Sequence, residues 1–135
     1  MARHLFVADI SGKKRDVALA AGAVQAFDPS DPNARKTLLK TSGGIYGACD
    51  FAGSDASLNF ATGVLAKGGK VIVTGLIGGA YTTAVAMFPL KAMTIEGTTT
   101  GTLSEARELI ELVRAKDIKP PPIAGAVARA SLCHP

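Results

Sequence analysis

The feature that most constrains this chain is a regular alternation of short apolar runs and helix-spaced segments, with glycine at nearly every joint. Leu5–Ala8 is a continuous apolar run, as expected of a strand covered on both faces. Ser11 can cap a following helix that buries Val17, Ala20 and Ala21, and Gly22 is placed to end it in the left-handed conformation. Val24–Phe27 reads as a second strand. Asp31 before Pro32 predicts a helix start, with a capping carboxylate and a proline at the first helical position. That helix buries Leu38 and Leu39 and ends near Gly43-Gly44. Ile45–Phe51 is a third strand. Ser54 caps a third helix that closes near Gly68-Gly69, and Lys70–Leu76 is a fourth strand. After a loop through Gly78 and Gly79, the segment "AMTIEGTTTGT" is a fifth strand running into a threonine-rich turn. Thr102 with Glu105 forms a capping box for a last helix, whose Leu103, Ala106, Ile110 and Val113 fall at helical spacing. Five strands separated mostly by helices predict an α/β fold with a parallel, doubly wound sheet and right-handed crossovers.

Composition narrows the function classes. The 135 residues suffice for one ordinary domain, and 47% apolar against 19% charged residues is globular. A net charge of +4 invites a nucleic-acid reading. However, Lys13-Lys14-Arg15 is the only run of three bases, Asp9 and Asp16 flank it, and no aromatic residues are interleaved with the bases. Nucleic acid is therefore set aside. Cys49 and Cys133 lie far apart, as do His4 and His134, so no metal-ligand spacing is present. Cys49 sits in an apolar run and reads as a small core residue. No stretch has the length of a signal peptide or a membrane span, so the expected location is the cytoplasm.

Four segments in order carry a resemblance: "VADIS…K…A…AGA", "DFAGS", "LAKGGKVIVTGLIGG" and "LKAMTIEGTTTGT". Together they resemble the cofactor-binding domain of the medium-chain, zinc-type alcohol dehydrogenases and quinone oxidoreductases, over about Leu5 to Lys119. The resemblance implies an oxidoreductase with a Rossmann-like domain that binds NAD. It also implies roles for particular residues. Asp9, at the end of the first strand here, would accept both ribose hydroxyls and repel a 2′-phosphate. Lys14 would also reach the ribose. Phe51, Ala52 and Gly53 would line the adenosine side. Thr74, Gly75 and Leu76 would lie beside the nicotinamide, and Thr98, Thr99 and Thr100 would meet its carboxamide through backbone. Read without the resemblance, the same residues are a capping or solvated Asp, an exposed Lys, strand ends and a polar turn.

The departures are as informative. The family's first strand, its G-x-G-x-x-G turn and the helix holding the pyrophosphate have no counterpart here, and Gly43-Gly44, Gly68-Gly69 and Gly78-Gly79 lack the triple-glycine spacing. The catalytic domain and any zinc ligands are also absent. In the order 3-2-1-4-5-6 the absent strand is central. Its neighbours must then pair directly or leave two edges unpaired. The reading is thus a partial dinucleotide-binding domain over residues 1–119 and an irregular tail over residues 120–135. The tail begins at three prolines and loses all pattern, as a truncated or frame-shifted gene, or a deliberately shortened chain, would.

Three function classes follow. One is part of an NAD-dependent alcohol dehydrogenase, inactive alone, whose parent acts on a small alcohol or carbonyl substrate. Its family forms oligomers. Another is a non-catalytic nucleotide-binding or interaction module completed by a companion chain. The third is a different doubly wound enzyme, such as a methyltransferase, which needs an equally absent glycine-rich loop.

Overall fold

The structure, a computed structural model, describes residues 4–116 and residue 118. Contacts divide the chain after Thr99 into two compact units. The first begins with β1 (Phe6–Ala8), α1 (Gly12–Ala20), β2 (Gln25–Phe27), α2 (Ala34–Ser42) and β3 (Ile45–Asp50). It continues with α3 (Asp55–Val64), β4 (Leu65–Val73), α4 (Met87–Lys91) and β5 (Thr94–Gly97). The second unit contains α5 (Leu103–Ala115). The expected tail, residues 120–135, lies outside the described residues.

All strand pairs are parallel, as the alternation requires, but they form two sheets: β1 with β2, and β3-β4-β5 in that order. Of the two arrangements expected, direct pairing or unpaired edges, the described residues take the one with unpaired edges. A shared apolar cluster stands in for continuous pairing. Phe27, Ala34, Leu38, Phe60 and Val64 are buried together, with Phe6 of β1 and Ile45 of β3 packed against them. A second cluster of Ala61, Leu65, Val71 and Met93 belongs to the three-stranded sheet alone, and Val71 is fully buried.

Local signals placed several boundaries. Gly22 and Gly43 both have positive φ just beyond α1 and α2. Ser54 and Thr102 each accept from the backbone N–H three residues on, in complete capping boxes with Ser57 and Glu105. Other expectations need correction. Ser11 stands at the N-cap of α1 but makes no side-chain cap bond. Asp31 does not cap α2; its carboxylate accepts from Asn33 N–H at 2.8 Å, forming a turn that leads into a helix starting at Ala34. The third helix ends at Val64 rather than near Gly68-Gly69, because Leu65 already pairs with Ile45. Gly68, at φ 80°, then sits in the irregular stretch before Lys70 meets Gly47. The short helix α4 lies where a plain loop was expected.

Burial corrects more. No residue of α1 is buried, Val17 is 53% exposed, and Ala20 and Ala21 are exposed too. Two three-residue strands offer too little surface to cover the helix. Leu38 is buried as expected, whereas Leu39 on the neighbouring face of α2 is exposed. Cys49, expected in the core, is exposed. It faces opposite to its neighbours Ala48 and Asp50, which point into the packed side, since strand side chains alternate. In the second unit, α5 buries no side chain, and Leu103, Leu109 and Ile110 are exposed.

Candidate functional site

In parallel sheets, ligands bind beyond the carboxyl ends of the strands. Here those ends carry polar groups in two sets. The first follows β1 and β2. Asp9 continues the ladder, its N–H donating to the Phe27 carbonyl at 3.1 Å. Its carboxylate is partly exposed; one oxygen accepts from Ser11 N–H at 2.8 Å, and the other stands 3.8 Å from Lys14 Nζ. Lys14 is well exposed, so this ion pair adds little stability. Arg15 crosses beneath, donating from one nitrogen to the Asp9 carbonyl at 2.6 Å and to the Asp28 carboxylate at 3.1 Å. The Ser30 hydroxyl and N–H, and then Arg15, hold the Asp28 carboxyl below its usual range. The guanidinium thus ties the ends of β1 and β2 together.

The second set follows β3 and β4 and is organised by Asp50, which is buried. Its carbonyl accepts from Thr74 N–H (2.9 Å), Gly75 N–H (3.0 Å) and the Thr74 hydroxyl (3.2 Å). One carboxylate oxygen accepts from Ala52 and Gly53 N–H, both at 3.0 Å, and the other from the Ser57 hydroxyl at 2.8 Å. A single residue therefore fixes the turn after β3, the start of α3 and the end of β4. The two loops then zip onward: Ile77 N–H donates to Ala52 and Gly78 N–H to Gly53. Gly53 (φ 64°) and Gly75 lie so close that a Cβ on either would collide with the other's backbone or with Ala52.

The expected residues distribute as follows. Asp9 and Lys14 come together in the first set, and Ala52, Gly53, Thr74 and Gly75 in the second. Phe51 and Leu76 project outward at 80% and 84% exposure. Thr98 N–H donates to the Val73 carbonyl at 3.0 Å, which ties it to β4; Thr99 and Thr100 are exposed and irregular. No hydrogen bond or ion pair among the described residues joins the two sets. Beside the second, a cleft of about 110 Å³ opens between Gly53, Leu58, Val73 and Tyr81. It is smaller than the several hundred Å³ of an ordinary ligand pocket. Asp50, Asp28 and Arg15 were not singled out from the sequence. The signal for Asp50 was an acid at the end of an apolar strand, three residues before a glycine.

A partly exposed carboxylate at a strand end can accept hydroxyl protons, whereas the room left by the missing side chains of Gly53 and Gly75 is taken by the facing loop's backbone. Among the described residues no three His, Cys, Asp or Glu side chains gather as a metal site would require. No helix among them is long and apolar enough to cross a membrane.

Comparison with known proteins bears on the fold and the family. A family-wide profile described as zinc-binding dehydrogenase matches residues 2–115. An alcohol dehydrogenase from Rhizobium meliloti is 30% identical over 111 residues, covering 82% of this chain and 33% of that protein. Among solved structures, the D-arabinose dehydrogenase from Sulfolobus solfataricus superposes with a TM-score of 0.77 at 22% identity, over 87% of this chain and 36% of that one. An NAD-dependent alcohol dehydrogenase gives the same TM-score at 21% identity, over 87% and 35%. The chain spans about a third of the length of these relatives. On the match across nearly all of its described residues, the chain belongs to the zinc-binding dehydrogenase family.

Proposed function

We propose that this chain is the nucleotide-recognising part of an NAD-dependent alcohol dehydrogenase, inactive on alcohols by itself. One observation carries the reading: Asp9 stands at the end of β1 with a partly exposed carboxylate, one oxygen held by Ser11 N–H and the other flanked by Lys14, while Arg15 holds its backbone carbonyl. There it accepts from the adenosine ribose hydroxyls, with Lys14 donating beside it. The same negative charge repels a 2′-phosphate and so selects NAD over NADP. Phe51, Ala52 and Gly53 line the adenosine side. Thr74, Gly75 and Leu76 present the apolar face on which the nicotinamide rests, and Thr98, Thr99 and Thr100 offer backbone to its carboxamide.

When bound, the cofactor supplies the hydride acceptor for an alcohol carbon in the complete parent enzyme. The residues of this chain bind and orient it. None of the residues assigned here takes the alcohol's proton, and the ligands of any zinc in the parent would lie in its catalytic domain. The proposed location is the cytoplasm, with a small alcohol or carbonyl compound as the parent's substrate.

Titrating the purified chain with NADH and NADPH, followed by nicotinamide fluorescence, tests the reading. NADH binds more tightly, and Asp9→Ala weakens it about tenfold, or about 1.4 kcal/mol, while narrowing the difference between the two. Equal affinity for both nucleotides in the unaltered chain refutes the role of Asp9. NADH production from ethanol by the chain alone refutes its inactivity. The open edges of β1 and β3 favour a second reading, a non-catalytic nucleotide-binding or interaction module completed by a companion chain.

A further inference from the structure

Asp28 follows β2 directly, half-buried at the same end of the two-stranded sheet as Asp9, and both of its carboxylate oxygens are engaged. One accepts from the Ser30 N–H at 2.9 Å and from the Ser30 hydroxyl, and the other from Arg15 Nη1 at 3.1 Å. Ser30 therefore aims the carboxylate, and Asp28 in turn aims the guanidinium. The carboxyl is held below its usual range, chiefly by Ser30, and so is ionised at neutral pH.

Arg15 is also close to the residue that meets the ribose. The same Nη1 donates to the Asp9 carbonyl at 2.6 Å. Its Nη2 lies beside Gly12, where α1 begins, without a hydrogen-bond partner among the described residues. The side chain is 23% exposed, against 73% for Lys14, so water and salt screen it less. A guanidinium matches the geometry of a phosphate group, and an arginine near this strand end is the kind of side chain that accommodates a 2′-phosphate. Charge then decides. Asp9 and Asp28 are negative, Lys14 and Arg15 positive, and the exposed Lys13 and Asp16 of α1 cancel as well. In that balance the repulsion between Asp9 and a 2′-phosphate stays in force. Without the Asp28 charge the set is positive by one, and the guanidinium is free to swing.

We propose that Asp28 is a positioning residue for nucleotide choice: it holds the Arg15 guanidinium against the Asp9 carbonyl and away from a 2′-phosphate, and so keeps the site selective for NAD. This role rests on the reading of Asp9 above and deepens it. Selectivity then has two parts. Asp9 repels the 2′-phosphate directly, and Asp28 neutralises and ties down the one nearby group built to attract it.

Nucleotide titrations of the full chain and its variants test this, with NADH and NADPH followed by nicotinamide fluorescence. Calorimetry with AMP and adenosine 2′,5′-bisphosphate isolates the ribose end. Asp28→Asn keeps the size of the side chain and an oxygen for Ser30, and removes only the charge. It tightens NADPH relative to NADH, and the bisphosphate relative to AMP, by about tenfold, the size of one charge-assisted hydrogen bond. Asp28→Glu restores the original ratios. Adding Arg15→Met to Asp28→Asn abolishes the gain, since no guanidinium is left to take the phosphate. A merely structural clamp gives another pattern: Asp28→Asn then weakens all four ligands together and leaves both ratios as they were. That pattern overturns the proposal, as does a gain that survives in the double variant. The two readings fail differently. A preference for NADH that Asp28→Asn leaves intact refutes the role of Asp28 alone. Equal binding of NADH and NADPH by the unaltered chain, or binding of neither, refutes the role of Asp9 and that of Asp28 with it.

Discussion

The two sheets of the first unit solve the same problem with unequal means. The three-stranded sheet has a fully buried valine at its centre, a helix with four buried residues, and a buried carboxylate whose bonds hold three segments. The two-stranded sheet has strands of three residues, a helix that buries nothing, and a partly exposed Arg15 bridging two strand ends. The difference follows from neighbours. A strand paired on both sides, such as β4, is covered in three directions, whereas β1 has one partner and a shallow floor. The better-built half carries the turns proposed for adenosine and nicotinamide. The weaker half carries the residue proposed to select the cofactor.

The largest effect that breaks this contrast is backbone collision. Gly75→Ala drives a Cβ into the Ala52–Gly53 peptide and costs about 3–4 kcal/mol by forced loop displacement. Gly22→Ala in the weaker half, at φ 104° with open space around it, costs about 1–2 kcal/mol. Urea denaturation of both variants checks the ranking, and equal midpoints would contradict it. Core truncation comes next. Val71→Ala costs about 2 kcal/mol, and Val17→Ala, on the exposed helix α1, stays within about 0.5 kcal/mol; thermal melts decide between them.

Asp50→Ala strands the amides of Ala52 and Gly53 and the Ser57 hydroxyl, at about 2 kcal/mol. It also speeds amide exchange in both loops. Asp50→Asn, which keeps an acceptor for the two amides, recovers most of the loss. If Asn behaves like Ala, the carboxylate geometry is not what holds the loops. Thr102→Ala removes one half of the capping box of α5 and lowers its helicity by about 1 kcal/mol.

The smallest effect is acid sensitivity. The carboxyls of Asp28 and Glu105 are held below their usual values, Asp28 chiefly by Ser30 and Glu105 by the Thr102 backbone and hydroxyl. A depressed folded value means each contribution is complete above the ordinary carboxylate range and is lost as pH falls through the depressed value. Asp28 is partly exposed and Glu105 exposed, so the change is gradual and shallow. An acid titration of Asp28→Asn should lack the part due to the β1–β2 clamp, with the three-stranded sheet unaffected.

What was legible beforehand was local. Ser54 and Thr102 announce helix starts because a cap is made within four residues, and Gly22 and Gly43 announce ends because a left-handed φ is a property of one residue. Apolar runs and alternation gave the parallel α/β class for the same reason. The proposed site was legible at its strand ends, Asp9 and Gly53, through family resemblance. Asp50 was missed because its importance comes from partners 24 and 25 residues away, Thr74 and Gly75. The start of β4 at Leu65 was missed because pairing with Ile45 overrode the glycines that seemed to close the helix. Cys49 was misplaced because an apolar run shows that a strand is buried somewhere, and says nothing about which face lacks a cover.

By itself the amino-acid order determined most of the elements, though not α4 or the start of β4, together with the parallel direction and the caps that begin α3 and α5, all set by interactions within a few residues. Tertiary structure alone decided that the strands form two sheets, that Asp50 holds the loops and that α1 is left uncovered. Each of these depends on how much surface lies beside a strand or helix, and neighbours distant in sequence provide that surface.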